Sequence, residues 1–143
     1  MEKTLLSVVI PTLNAASTLA ATLDSLESQL IGVDHEVIIA DGTSSDVSRA
    51  ISKSKGARLI SVARGRGAQL AAGGNAARGD WLLFLHADTV LDESWLMEAA
   101  AFMASADNNR RAGVFRLRFD DRGRAARRLE TIAAWRLDRK SVV

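Results

Sequence analysis

An α/β fold built on a mostly parallel sheet is the class this sequence predicts, and three observations carry it. Short aliphatic, β-branched runs alternate with segments whose apolar residues recur every three or four positions. Each change of period is marked by Pro, Gly, Asn or Asp. The 143 residues, 48% hydrophobic and 25% charged, have the composition of one globular domain able to bury a core.

The elements follow in order. Leu5–Ile10 reads as a buried parallel strand stopped by Pro11. Asn14 or Ser17 is then placed to cap a helix whose apolar stripe is Leu19, Leu23, Leu26 and Leu30, ending at Gly32. Val37–Ala40 is a second strand closed by Asp41-Gly42. Thr43 to Asp46 offers several caps for a helix towards Lys53, which Gly56 stops. Leu59–Val62 is a third strand. The Arg64-Gly65-Arg66-Gly67 loop leads into an Ala-rich helix to about Ala77. Gly73-Gly74 inside it costs about 1 kcal/mol each relative to Ala, which predicts close packing or a break there. Trp81–Leu85 is the most apolar run and is expected at the sheet centre. Asp92–Ala104 reads as a fourth helix, Val114–Phe119 as a fifth strand and Arg124–Leu137 as an Arg-rich helix.

Charge divides the chain unevenly although its net value is only +2. Residues 1–109 hold 8 basic and 13 acidic side chains, whereas residues 110–140 hold 11 and 4. The expected division is therefore a ligand-binding domain at 1–119 and a basic helical segment at 120–143. Arg122, Arg124, Arg127 and Arg128 lack interleaved aromatics, so nucleic acid is not an expected partner; peripheral contact with an anionic membrane is the alternative use. The absence of cysteine excludes disulfides, thiolate metal sites and a thiol nucleophile. Without a long apolar run or a signal-peptide pattern the expected location is the cytoplasm, with peripheral contact at the inner membrane surface.

In parallel sheets ligands bind outside the carboxyl ends of the strands. The residues there are Pro11-Thr12-Leu13-Asn14, Asp41-Gly42, Ala63-Arg64 and His86-Ala87-Asp88. If 86–88 continues extended, His86 and Asp88 face one side, and a carboxylate there suits a hard divalent cation shared with phosphates. A turn or a helix cap is the competing role for Asp88. Asp41 can accept from a ribose hydroxyl or a base N–H, or close its own Asp-Gly turn. Asp46 fits a helix start. Arg64 and Arg66 before a helix N-terminus suit a diphosphate. The loop is neither a P-loop nor a dinucleotide fingerprint, because no Gly-Lys-Ser/Thr follows and Leu70 stands where Gly or Ala is needed.

Taken together, Leu5 to Asn14 and Asp41-Gly42-Thr43-Ser44-Ser45-Asp46 resemble the opening strand and the Asp-Gly-x-Ser-x-Asp segment of family 2 glycosyltransferases of the GT-A fold. Arg64 to Gln69, Gly73 to Asp80 and Leu83 to Thr89 are similar to a bacterial subgroup labelled arsenosugar-biosynthesis-associated glycosyltransferases. The resemblance implies a Rossmann-like, GT-A nucleotide-diphospho-sugar transferase fold, incomplete at the C-terminus. It implies a UDP- or GDP-sugar donor, an acceptor of unknown kind and a divalent cation, Mg²⁺ or Mn²⁺. By the same resemblance Pro11, Thr12 and Asn14 line the nucleotide pocket and Asp41 binds base or ribose. Arg64 or Arg66 approaches the diphosphate, His86 and Ala87 flank it, and Asp88 is the metal-binding Asp of the Asp-x-Asp motif. His86 holds the motif's first Asp position. The family continues further than this chain, so the catalytic base is expected to be missing and transfer to be feeble, and an exposed sheet edge is expected to favour homo-oligomers. A nucleotidyltransferase, or a non-catalytic assembly module working through the basic helix, is the alternative.

Overall fold

The computed structural model describes residues 4–115. Contacts divide the chain into two compact units, 1–101 and 102–143. The fifth strand was expected from Val114; Val114 and Phe115 carry no strand, and the rest of that segment, like the Arg-rich helix and the 119/120 boundary, lies outside the described residues.

The first unit alternates strand and helix. Strand β1 is Leu6–Thr12, helix α1 Ala16–Gln29, β2 His35–Asp41, α2 Ser48–Ser54, β3 Arg58–Ser61, α3 Arg66–Ala76 and β4 Trp81–Phe84, followed by α4 from Trp95 to Ala104. The four strands are parallel in the order β3-β2-β1-β4. Right-handed crossovers therefore put α1 and α2 on one face and α3 on the other, because the third crossover runs back across the sheet. The order reverses beside β1, so the β1/β4 boundary is the switch point at which such sheets open a crevice.

The core sits where the sequence pattern placed it. Val8, Val9, Ile10, Ile38, Ile39 and Ala40 of the central strands are fully buried, and the stripe Leu19, Leu23 and Leu26 of α1 with its C-cap Leu30 is buried as well. Of the two adjacent helical glycines, Gly73 is the one that close packing requires. A Cβ there would stand 2.2 Å from Val9 Cγ1, so α3 lies on β1 closer than any side chain allows, and the helix continues unbroken. Gly79, just before β4, is as tightly held: a Cβ would come within 2.7 Å of Ser7 N, Ser7 Oγ and Leu5 O.

Three expectations are corrected. The first strand is not stopped by Pro11: β1 runs through it to Thr12, with Pro11 in register with Ala40. Among the described residues β4 pairs with β1 alone and stands at the end of the sheet. Leu82 and Phe84 are 45% and 48% exposed, with Gly74 of α3 lying beside them. Neither Asn14 nor Ser17 caps α1, whose N-cap is Ala15. The N–H groups at its start are satisfied from the β2–α2 loop and the first residue of α2, Ala16 N–H by Asp46 Oδ2 at 3.0 Å and Ala15 N–H by Ser48 Oγ at 2.9 Å. The fourth helix begins at Trp95 and not at Asp92, since Asp92 Oδ1 accepts from Ser94 N–H and Oγ in a turn before it.

Candidate functional site

A cleft of about 500 Å³ opens at the carboxyl ends of the strands. It is lined by Pro11 to Ala15, Ser17 and Thr18 after β1, by Arg64, Gly65, Arg66 and Gln69 at the start of α3, and by His86, Ala87 and Asp88 after β4. Eight of the nine residues singled out from sequence are thus present in one wall-to-wall arrangement: Pro11, Thr12, Asn14, Arg64, Arg66, His86, Ala87 and Asp88. Asp41 is the exception and does not line the cleft. A second cleft, about 410 Å³, lies at the amino ends of β2 and β3 against Glu27, His35, Glu36, Lys55 and Arg58. Its cations are already engaged, Lys55 with Asp24 and Arg58 with Glu36 at 3.6 Å and Ala76 O at 2.9 Å.

Asp41, at the end of β2 and outside the cleft lining, is completely buried. Its Oδ1 accepts from Thr12 Oγ1 at 3.0 Å and Ser44 Oγ at 2.5 Å, and its Oδ2 from Ser44 N–H at 3.0 Å and Arg49 at 3.3 Å. An ionised carboxylate has about four acceptor positions, and all four are taken. Burial pushes this carboxyl up, but the bonds from Ser44 and Thr12 and the Arg49 charge outweigh it and hold the group below its ordinary value.

Two loops are knotted together beside it. Asn14 adopts φ 51° and Thr43 φ 66°, the left-handed region that Asn tolerates and Thr rarely enters. Asn14 N–H donates to Ser44 Oγ at 2.9 Å, and Asn14 Oδ1 accepts from Ser45 N–H at 2.8 Å. Asp46 closes the knot by accepting from Ser48 N–H and Oγ while also capping α1. The bonds from Ser48 hold its carboxyl below the ordinary value. Asp46 therefore belongs to a helix start, as expected, but to two helices at once.

The opposite wall is a turn. Thr89 N–H donates to His86 O at 3.2 Å and the strand ends at Phe84, so 86–88 is not the extended segment expected from spacing. Thr22 Oγ1 of α1 donates to Ala87 O at 2.9 Å and pins the turn. His86 and Asp88 are exposed and both line the cleft, reached by a turn in place of strand alternation. At the third side Gly65, with φ 141°, lets the chain swing into α3. The exposed Arg64 and Arg66 flank that helix start.

Sequence reasoning assigned no role to Gln69, although it sits at the centre of the site. Only 4% exposed, its Nε2 donates to Thr12 O at 2.7 Å and Ala40 O at 2.8 Å, joining the ends of β1 and β2. Gly42 makes room for it, since a Cβ there would lie 3.1 Å from the amide. A polar residue at the fourth position of an otherwise Ala- and Gly-rich helix face was the available signal.

The site is compatible with a divalent cation brought in on phosphates. It provides one carboxylate, Asp88, and one imidazole, His86, on a single turn. Among the described residues no three His, Cys, Asp or Glu side chains gather into a metal cage. A hard cation held by one or two protein ligands, with phosphate and water completing its shell, needs no such cage.

Comparison with known proteins places this architecture. Residues 7–141 match the family model described as Glycosyl transferase family 2. The chain is 38% identical over 111 residues to the PGL/p-HBAD biosynthesis glycosyltransferase of Mycobacterium bovis and of Mycobacterium tuberculosis, covering 72% of this chain and 43% of each relative. It superposes on glucosyl-3-phosphoglycerate synthase from Mycobacterium tuberculosis, solved with Mn²⁺, uridine diphosphate and glucosyl-3-phosphoglycerate, with a TM-score of 0.61 and 25% identity over 70% of this chain and 39% of that one. Mannosyl-3-phosphoglycerate synthase from Rubrobacter xylanophilus shares the fold at a TM-score of 0.57 and 24% identity over 62% of this chain and 32% of that one. The chain therefore spans less than half the length of these relatives. Among the described residues no helix is long and apolar enough to cross a membrane.

Proposed function

The chain belongs to glycosyl transferase family 2, and from that premise we propose that its main cleft binds the nucleoside diphosphate of a UDP- or GDP-sugar. The observation that carries this reading is the convergence of the β1 loop, the α3 start and the 86–88 turn on one cleft at the topological switch point. Arg64 and Arg66 pair with the diphosphate, where the N–H groups of the first α3 turn add donors. Pro11, Thr12 and Asn14 form the nucleoside wall. Asp88, with His86 beside it, holds a divalent cation against the diphosphate. When bound, that ion neutralises charge on the departing nucleoside diphosphate as the sugar passes to an acceptor hydroxyl.

Asp41 takes a different part from the one its motif implied. With every acceptor position filled by Thr12, Ser44 and Arg49, it shapes the wall instead of touching the ligand. Asp88 is the carboxylate lining the cleft among the described residues, and its use for the cation leaves the general base unassigned to them. Family membership removes the ground for a nucleotidyltransferase. That Mn²⁺ and uridine diphosphate occupy the solved synthase supports the same ligands here.

Calorimetric titration of the full chain with UDP and GDP, with and without Mn²⁺, tests the proposal. Binding of one of them that needs Mn²⁺ and is lost in Asp88→Ala is the expected result. A folded protein that binds neither, or binds equally without metal and in the variant, overturns it.

A further inference from the structure

Gln69 offers a feature that the diphosphate reading does not use. Both protein partners of its amide are carbonyl oxygens, Thr12 O and Ala40 O, so the nitrogen is fixed as their donor and the amide cannot be flipped. Its Oε1 then accepts from no described protein donor. No side-chain nitrogen or oxygen fully buried among the described residues lacks a partner. Gln69 lines the main cleft, beside Thr12 and over Gly42. The result is a cleft-lining side chain more than nine-tenths buried, locked at its nitrogen, whose oxygen has no donor among the described residues.

Resting on the nucleotide reading of the same cleft, we infer that Gln69 is its nucleoside-specificity residue: Oε1 accepts a hydrogen bond from a nucleoside donor, a ribose hydroxyl or the ring N–H of the base. The neighbouring candidate, Asp41, is saturated, buried and absent from the cleft lining, whereas Gln69 is a buried member of that lining whose oxygen has no described donor. A nearly buried, preoriented acceptor discriminates well, because an analogue lacking the donor leaves it unsatisfied in a site that water can no longer reach.

The test compares, for whichever of UDP and GDP binds with Mn²⁺, the parent nucleotide, its 2′,3′-dideoxy analogue and its base N-methyl analogue, on wild type and on Gln69→Met. One analogue is expected to bind wild type about tenfold or more weakly, and that penalty disappears in Gln69→Met; which analogue it is identifies the donor. Equal affinity of wild type for all three, or a penalty that persists in Gln69→Met, overturns the inference and leaves the cleft reading standing. Loss of all nucleotide binding by folded wild type removes both together. If Gln69→Met does not fold, the side-chain amide resonances of Gln69 in wild type decide. They shift with the parent nucleotide and fail to shift in the same way with the penalised analogue; identical shifts with all three overturn the inference.

Discussion

Gly73 is where fold and site meet, and Gly73→Ala in two backgrounds measures how. A Cβ at position 73 would stand 2.2 Å from Val9 Cγ1, more than 1 Å inside ordinary contact, and Val9 sits in a fully buried central strand that cannot retreat. Overpacking of this kind costs about 1–3 kcal/mol, and so close an approach belongs at the upper end. Alanine recovers about 1 kcal/mol of helix propensity, so the net loss is about 2 kcal/mol. For a domain of this size that lowers Tm by about 8 °C. Val9→Ala removes the two methyl groups in the way, at a cost of about 2 kcal/mol for lost burial. In that background Gly73→Ala fills the space it needs and becomes stabilising by about 1 kcal/mol. Chemical denaturation of the four proteins gives the coupling, expected near 3 kcal/mol. Effects additive within about 0.5 kcal/mol would refute the close approach of α3 to β1. The single variant should also weaken nucleotide binding, since α3 carries Arg66 and Gln69 into the cleft.

Further outcomes follow from the same contacts. The folded-state pKa of Asp41 lies below its ordinary 3.8, so the stability it contributes is present above that value and lost as pH falls through the folded pKa. Asp41→Asn should therefore be less stable than wild type at neutral pH, with the gap narrowing as the pH is lowered below 3.8, as read by denaturant midpoints; a gap that stays constant as the pH falls contradicts the assignment. Asp46→Ala leaves N–H groups at the starts of two helices unsatisfied and should lower Tm, with Asp46→Asn recovering part of the loss; an unchanged Tm means the loop knot is incidental. His86→Asp rebuilds an all-oxygen metal pair, which suits Mg²⁺ better than imidazole does. Nucleotide affinity supported by Mg²⁺ should then rise relative to that with Mn²⁺, and an unchanged ratio places His86 away from the ion.

Much of this was legible in the sequence because it depends on local pattern. The Leu19, Leu23, Leu26, Leu30 stripe, the Gly32 and Gly56 stops and the four strands are written in periodicity and punctuation, and strand ends bring ligand residues together in any parallel sheet. What was not legible is the pairing of segments distant in sequence. The caps of α1 come from residues some thirty positions away, Asp46 and Ser48. The saturation of Asp41 depends on Arg49 and Thr12 arriving together. The strand order that puts β4 at one side of the described sheet depends on which crossover turns back. Gln69 looked like one polar residue in a helix until Thr12 O and Ala40 O stood in front of it.

The central claim is that one cleft, between the β1 loop, the α3 start and the 86–88 turn, holds a metal nucleotide. Paramagnetic broadening of backbone amide resonances by Mn²⁺ in the presence of UDP or GDP tests it most directly. The account predicts that His86–Asp88, Thr12–Ala15 and Arg64–Gly67 broaden first, and that the cleft at Glu27, Glu36 and Lys55 at the other end of the sheet stays sharp. Broadening centred on that second cleft, or spread evenly over exposed carboxylates, would contradict it.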